Sequence, residues 1–233
     1  MKKWVHRTRG SSPAIRFAFV VAAIGAARSG QKAANRISPS RMHHTEQEPN
    51  RKFWGSACGN RVENNRIWEI YDAAMTNQGD APDANQIDLV YRNNTIWNCE
   101  YSFEFWNRPA LARTENIRVE SNRCFNAGKG WAHAQRSFKN GAHLMFYANT
   151  SQTTNVIILD NLFSGASETI IRMDNDWRPG LCLSNNLYFA EDKPLMIWRE
   201  NHPITDLSAY SDLLNDKSSR MLNPQERNAF PVP

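Results

Sequence analysis

A pair of polar residues that ends in asparagine recurs from residue 64 onward, most often as Asn-Asn. Successive pairs are 29, 28, 39 and 25 residues apart, and a short apolar run follows each of them. Self-similarity at a period of about 20–50 residues is typical of stacked repeats, in which each repeat buries its apolar face against its neighbours. The asparagines that end the pairs are Asn65, Asn94, Asn122, Asn161 and Asn186.

The apolar pattern inside each repeat favours strands over helices. Cys99, Tyr101, Phe103 and Phe105 occupy alternate positions, which is the period of a strand that buries one face. Such runs are short, and Asn, Gly or Asp interrupts them before a helical period of 3.6 residues develops. We therefore predict an all-β chain, folded as a parallel β-helix of four or five coils.

The asparagine pairs are predicted to form the corners between strands. Asparagine tolerates the left-handed backbone conformation, and its amide can bond the equivalent amide about 4.8 Å away in the next coil. The apolar residue after each corner should point into the core, and the aromatic residue beside it should pack outside. The predicted core residues are Ile67, Ile96, Cys124, Leu162 and Leu187, and the predicted outer aromatics are Trp68, Trp97, Phe125, Phe163 and Tyr188.

The N-terminal segment differs from the repeats in charge. Its first 41 residues hold nine Lys and Arg and no acid, so the net charge of +5 becomes −4 for the remainder (5 minus 9). The basic balance therefore does not indicate a nucleic-acid partner. An apolar run at residues 17–27, preceded by basic residues and ending in small ones, predicts a signal peptide and an extracellular or periplasmic location. Once this leader is removed, no membrane span is expected.

Three segments follow from these patterns. Residues 1–50 are predicted to be a leader and linker, residues 51–205 the β-helix, and residues 206–233 a C-terminal helix and tail. Asp206 is the expected N-cap of a helix over residues 207–220, which would cover the end of the stack.

The stretches YRNNTIWNCEYSFEFWN, GWAHAQR, HLMFYANT and RMDNDW resemble bacterial right-handed parallel β-helix proteins of the pectate-lyase-like superfamily. The resemblance covers residues 60–233 and implies a right-handed β-helix. It implies carbohydrate chemistry only broadly, because the superfamily includes lyases, hydrolases, epimerases and phage spikes. Such proteins usually carry more coils and an N-terminal cap, so the resemblance implies that this chain is the C-terminal part of a longer domain.

Stacking should place chemically active residues from distant positions on one sheet face. Aligning the coils on their asparagines puts Glu104, Trp106, Arg172 and Asp174 on this face, with Asp176 just beyond. Trp106 suits stacking on a sugar ring, and Glu104 is assigned with it to substrate binding. The non-functional alternatives are an ordinary turn at RMDND and a surface ion pair between Glu104 and Arg172.

The 39-residue interval predicts an inserted loop at residues 136–154 beside that face. In a lyase, His133 or His143 would be the base, and Arg136 or Arg172 would neutralise a uronate carboxylate. In a hydrolase, Asp174 and Asp176 would be the paired carboxylates. His133 as a partly buried residue and His143 as a strand cap are the structural alternatives. Two further residues, Arg108 and Lys139, are predicted to bind substrate.

The leading functional hypothesis is an exported protein that binds or cleaves a uronate-containing polysaccharide, as a lyase or a hydrolase. The alternatives are a non-catalytic carbohydrate-binding or structural module and a fragment of a larger glycoside-active or phage-spike-like protein. No nucleotide-binding or zinc-binding motif is present in the sequence, and no cofactor is predicted. Asp174 and Asp176 would suit Ca²⁺ but do not make a complete ligand set. The oligomeric state stays open.

Overall fold

A computed structural model describes residues 56–79, 84–107, 111–131, 133–137, 140–149, 152–199 and 201–233. The predicted leader and linker at residues 1–50 lie outside this range. In chain order the strands are β1 Ala57–Cys58, β2 Arg61–Glu63, β3 Arg66–Trp68, β4 Ala73–Gly79, β5 Gln86–Arg92, β6 Thr95–Trp97, β7 Tyr101–Asn107, β8 Arg113–Glu120, β9 Arg123–Ala127, β10 Ala142–Asn149, β11 Gln152–Leu159, β12 Leu162–Ala166, β13 Thr169–Met173, β14 Leu181–Ser184, β15 Leu187–Phe189, β16 Met196–Trp198, β17 His202–Ile204 and β18 Arg220–Met221.

The strands form three six-stranded sheets. Sheet A contains β1, β2, β5, β8, β11 and β14; sheet B contains β3, β6, β9, β12, β15 and β18; sheet C contains β4, β7, β10, β13, β16 and β17. From residue 56 onward, the described strands follow the order A, B, C five times, and each round adds its strands in parallel to those of the previous round. Among the described strands only β16 and β17 pair in the antiparallel sense. The predicted predominantly β chain with parallel sheets is confirmed.

The predicted asparagine ladder is confirmed. The amide nitrogen of each asparagine donates to the Oδ1 of the next, at 3.1, 2.9, 3.0 and 3.0 Å from Asn65 through to Asn186. The first residue of each pair, directly before the ladder asparagine, adopts the left-handed conformation, with φ between 54° and 59°. At the end of the ladder, Ser219 Oγ accepts from the backbone N–H of Asn186 at 2.8 Å, so it takes the place of a further asparagine.

The prediction of core and outer residues is correct for the first three rounds and wrong for the last two. Ile67, Ile96, Cys124, Phe163 and Tyr188 are aligned across sheet B, and all five are buried in the central core. The inward position is always two residues after the ladder asparagine, which selects Phe163 and Tyr188. The predicted core residues of these two rounds instead lie on the outer side of sheet B, beneath the C-terminal tail: Leu162 and Leu187, with Phe230 and Val232 packed in the same cluster.

The third round enters sheet C later than the sequence alignment predicts. Its strand is β10, in which Leu144 lies between Phe103 and Ile171, whereas the alignment had placed residues 130–135 there. The extra residues therefore form a loop before the strand, at residues 128–141, and it includes a 3₁₀ turn at His133–Gln135. Two glycines allow the ends of this loop to approach each other closely, since a Cβ on Gly141 would lie only 2.4 Å from the Cα of Gly128.

The C-terminal helix forms with the predicted N-cap but is shorter than predicted. Helix α1 spans Leu207–Leu214 and ends at Asn215 in the left-handed conformation, not at residue 220. Tyr210 of α1 is buried against the last round, where its hydroxyl lies 2.8 Å from that of Tyr188. A second helix, α2, spans Pro224–Asn228 and starts with a capping box.

Asp206→Ala is expected to lower the free energy of unfolding by about 1 kcal/mol, because the Asp206 carboxylate accepts from the backbone N–H groups of Ser208 and Ala209. Urea unfolding would measure the difference. Ser208→Ala is the matched control, since its exposed hydroxyl lies in the same turn and its backbone N–H is kept. Equal loss in both variants would contradict a capping role for Asp206.

Candidate functional site

The outward side of sheet C, here called the sheet C face, carries several charged and polar groups beside an apolar cluster. Inward residues such as Phe103, Phe105 and Phe146 fill the core, so the alternating residues of the same strands point away from it. One outward row, read across the sheet, consists of Thr76, Glu104, Met145, Arg172 and Ile197.

Glu104 is the most perturbed acid of this face. Glu104 is only 6% exposed. Its Oε2 accepts from Thr76 Oγ1 at 2.9 Å and from Gln78 Nε2 at 2.6 Å. Burial raises the pKa of Glu104 to about 7, and the negative charge of Asp72 adds to this rise. Glu104 can therefore give up or take up a proton near neutral pH.

Two tyrosines of the face form a hydrogen-bonded pair. The hydroxyls of Tyr101 and Tyr147 lie 3.0 Å apart, and their rings meet edge to face. Burial raises the pKa of both phenols, and the charges of Glu104, Asp72 and Asp174 raise that of Tyr147 further. These hydroxyls therefore stay protonated, and one of them donates to the other.

The β9–β10 loop brings His133 and Arg136 to the start of sheet C. His133 Nδ1 lies 2.6 Å from Oε2 of the buried Glu100, and Arg136 Nε lies 3.4 Å from Oε1 of the same carboxylate. Arg136 also donates to the carbonyl of Tyr71 at 2.6 Å, lies 3.4 Å from Asp72 and packs over the Tyr71 ring. The two sequence-predicted residues are thus brought together with Glu100 and Asp72, which the sequence analysis missed.

Arg172 and Asp174 share the face, as the sequence alignment indicated. Arg172 donates to Glu168 at 2.8 Å, to Asp174 at 3.1 Å and to Asn201 at 3.2 Å. The alternative ion pair between Arg172 and Glu104 does not form, because Met145 lies between them in the row.

Asp176 lies beyond the end of β13 and is held by two guanidinium groups. Arg178 donates to it from Nε at 2.8 Å and from Nη2 at 2.6 Å, and Arg199 donates at 3.1 Å. The hydrogen bond from Arg178 is the main reason that the pKa of Asp176 is lowered. Both members of the proposed Asp174–Asp176 pair therefore take part in ion pairs with arginine.

The structure places His143 inside the molecule, not on the sheet C face. It is 0% exposed, its Nδ1 lies 2.9 Å from Ser102 Oγ, and its Nε2 lies 3.1 Å from the carbonyl oxygen of Gly165. A carbonyl only accepts, so Nε2 carries the hydrogen and Nδ1 accepts from Ser102. Burial lowers the pKa of His143 to about 3. Its inward direction arises because β10 starts at a bend, where His143 and Leu144 both face the interior.

Of the remaining residues predicted to bind substrate, one lies in the described part of the chain and two do not. Trp106 is half-buried on β7, directly across from Gln78. Arg108 and Lys139 lie outside the described residues. The sequence analysis did not select two exposed aromatic residues near this end of the sheet: Tyr71, whose carbonyl accepts from Arg136, and Trp131, whose backbone N–H donates to Glu69.

Within the described ranges, no three His, Cys, Asp or Glu side chains are grouped closely enough to hold a metal ion. No helix in the part of the chain that the structure describes is long and apolar enough to cross a membrane. Comparison with protein-family models, with curated proteins and with solved structures finds no match to this chain.

Proposed function

We infer that the five rounds through sheets A, B and C form a right-handed parallel β-helix. The inference is supported by the parallel addition of one strand per round to each sheet and by the continuous asparagine ladder. The handedness follows from strand twist, since crossover connections between parallel strands of one sheet are right-handed in about 98% of cases.

We propose that the sheet C face binds a glycan and cleaves its glycosidic bond by acid–base catalysis. The observation that carries this proposal is Glu104, a buried carboxyl on an outward row with a pKa of about 7. General acids work best when their pKa is near the working pH, and glycosidases raise a carboxyl pKa by burial to reach this range.

Glu104 also has a neighbouring carboxylate in a different environment. The charge of Asp72 contributes to the raised pKa of Glu104, and Asp72 itself lies at 3.4 Å from Arg136. Two carboxyl groups with contrasting environments are the arrangement that hydrolysis of a glycoside requires. In this mechanism Glu104 protonates the leaving oxygen, and Asp72 serves as the base that activates water.

Aromatic side chains beside these acids suit a sugar polymer. Tyr71 is exposed beneath Arg136, Trp131 is exposed in the β9–β10 loop, and Trp106 lies on the same strand as Glu104. Aromatic rings with a polar edge stack on the apolar faces of sugars, whereas the hydroxyls of a sugar need the acceptors that carboxylates provide. This combination favours a glycan over a purely apolar ligand.

The second candidate is a polysaccharide lyase, favoured by the contact of both His133 and Arg136 with Glu100. A lyase needs a cation that can reach a uronate carboxylate, and Arg136 and Arg172 are already bonded to carboxylates of the protein. Hydrolysis instead uses the buried carboxyl of Glu104, whose pKa of about 7 suits a general acid, so we place it first. Export from the cell remains part of either proposal.

Incubation with neutral and uronate-containing polysaccharides is expected to release new reducing ends without the absorbance of 4,5-unsaturated products. Glu104→Gln should lower this activity by about 10²–10⁴-fold, since it removes the general acid. In the unmodified protein, activity should fall as the pH rises through about 7, because Glu104 must be protonated to donate.

Glu115→Gln, the same change on the outward side of sheet A, is the matched control and should retain full activity. Glutamine keeps an oxygen that can accept from Thr76 and Gln78, so the fold of Glu104→Gln should persist, and its melting curve checks this. Unsaturated products would instead favour the lyase, and binding without any product would favour a carbohydrate-binding module. Full activity of Glu104→Gln would contradict the assigned role.

A further inference from the structure

A polar groove lies where the chain stops adding parallel strands and turns back. Strands β16 and β17 form a tight hairpin, in which Trp198 lies opposite His202. Arg199 and Asn201 in its turn have left-handed φ angles of 32° and 72°. The groove has a volume of about 800 Å³ and is lined by Asn149, Asp174, Asn175, Asp176, Trp198, Arg199 and His202.

The indole of Trp198 organises the cations of this groove. The guanidinium carbons of Arg178 and Arg199 both lie 4.9 Å from the centre of its ring, and both groups also donate to Asp176. Arg178, Arg199 and Asp176 together carry a net charge of +1, while Asp174, which also lines the groove, is ion-paired with Arg172. Because the Trp198 ring and the Asp176 carboxylate already restrain both arginines, they lose little conformational entropy when they bind a further anion.

Arg199 has hydrogen-bonding capacity left over. Its side chain is 50% exposed, and only Nη2 donates to a carboxylate among the described residues. A guanidinium has five N–H groups in a planar fork that matches a carboxylate or sulfate. The backbone carbonyl of Arg199 accepts from His202 Nδ1 at 3.0 Å, which fixes the imidazole beside the guanidinium.

We propose that this groove is a subsite for an anionic group, a carboxylate or a sulfate, on one sugar of the bound glycan. The proposal rests on the glycan-cleaving function of the sheet C face. Arg199 directly follows β16, which is three strands away from β7 and Glu104 in sheet C. Strand spacing of about 4.8 Å and a rise of about 3.3 Å per residue put the two positions roughly 16 Å apart. The subsite therefore binds a sugar remote from the cleaved bond and supplies affinity and register.

The test uses the full chain and three oligosaccharide probes: oligogalacturonate, its neutral methyl ester and a sulfated galactan oligosaccharide. Calorimetry is expected to show at least tenfold tighter binding of one of the charged probes than of the methyl ester. Arg199→Gln should abolish this preference, whereas Arg113→Gln, an exposed arginine on sheet A, should keep it. The charged probe whose tighter binding disappears in Arg199→Gln identifies the anion as a carboxylate or a sulfate.

Arg199→Lys serves as a second variant in case the glutamine variant folds poorly. It keeps the positive charge but loses the planar fork, so the preference should remain while the affinity falls several-fold. Equal binding of charged and neutral probes, or a preference that survives in folded Arg199→Gln, would overturn the subsite.

The two proposals fail separately. Glu104→Gln is expected to bind the charged probe as tightly as the unmodified protein, although it cleaves the probe about 10²–10⁴-fold more slowly. For cleavage, Arg199→Gln should raise KM at least tenfold and leave kcat unchanged, because the interaction is equal in the ground state and the transition state. A loss of kcat with unchanged KM would contradict a remote subsite, while cleavage that depends on Glu104 would still stand.

Discussion

Replacing Asn122 with alanine is expected to lower the free energy of unfolding by about 3–5 kcal/mol, since buried polar groups left unpaired cost about 1–3 kcal/mol each. Asn122 is 0% exposed in the middle of the asparagine ladder. Its Oδ1 accepts from the backbone and side-chain nitrogens of Asn94, and its Nδ2 donates to the carbonyl of Tyr91 and to Asn161. The substitution therefore removes a hydrogen-bond partner from several buried groups on the two adjacent rounds.

The chain offers a matched control in a second, exposed ladder. Asn116 donates to Asp88 at 3.0 Å and accepts from Asn155 at 2.8 Å, in the same stacked geometry but in contact with water. Asn116→Gly removes the amide and keeps the left-handed φ of 55° accessible. Its cost should stay below about 1 kcal/mol, because water replaces the lost hydrogen bonds. Urea unfolding of both variants compares the two, and equal costs would show that burial does not determine the ladder's contribution.

The corners at the buried asparagine ladder were predictable from the sequence, but the positions of the other left-handed corners were not. The buried corner repeats the same residue because the asparagine amide can accept from one neighbouring copy and donate to the other, while its short side chain also reaches nearby backbone carbonyls. The other corners need only a residue that tolerates the left-handed conformation, and several residue types satisfy this requirement. The residue type at these corners therefore varies from round to round. The unpredicted left-handed corners are Asp88, Asn116 and Asn155, and also Glu69, Asn98, Asn126, Gly165 and Glu191.

The candidate site shows the same division. Glu104 and Arg172 occupy one row because the spacing from the asparagine ladder is nearly constant in their rounds. The third round was misaligned because its additional residues lie before β10, and spacing alone does not say on which side of a strand an insertion falls. The environment of Glu100 and the inward direction of His143 depend on burial at the bend of the sheet, which the alternation of residue types does not reveal.

His143 is expected to make the protein lose stability as the pH falls from about 6.5 towards 3. The folded-state pKa of about 3 lies below the ordinary value of 6.5, because the buried imidazole cannot carry a charge without water. Between these two pH values the unfolded chain binds a proton at His143 and the folded chain does not. Protonation therefore favours unfolding, by about 1.4 kcal/mol for each pH unit and by about 3 kcal/mol at pH 4.5.

The contribution of His143 can be separated from that of the carboxylates, which also titrate in this range. His143→Gln keeps a donor towards Gly165 and an acceptor towards Ser102 but has no titrating group. The variant should be less stable than the unmodified protein at pH 7, since its fit in the core is poorer, and the difference should shrink or reverse by pH 4.5. His202→Gln, at an exposed histidine, should preserve the full dependence on pH. Denaturant unfolding at several pH values gives these differences, and parallel curves for His143→Gln and the unmodified protein would mean that His143 is protonated in the folded state. Such a result would require water or a counter-charge beside the imidazole and would place His143 among the accessible groups of the molecule.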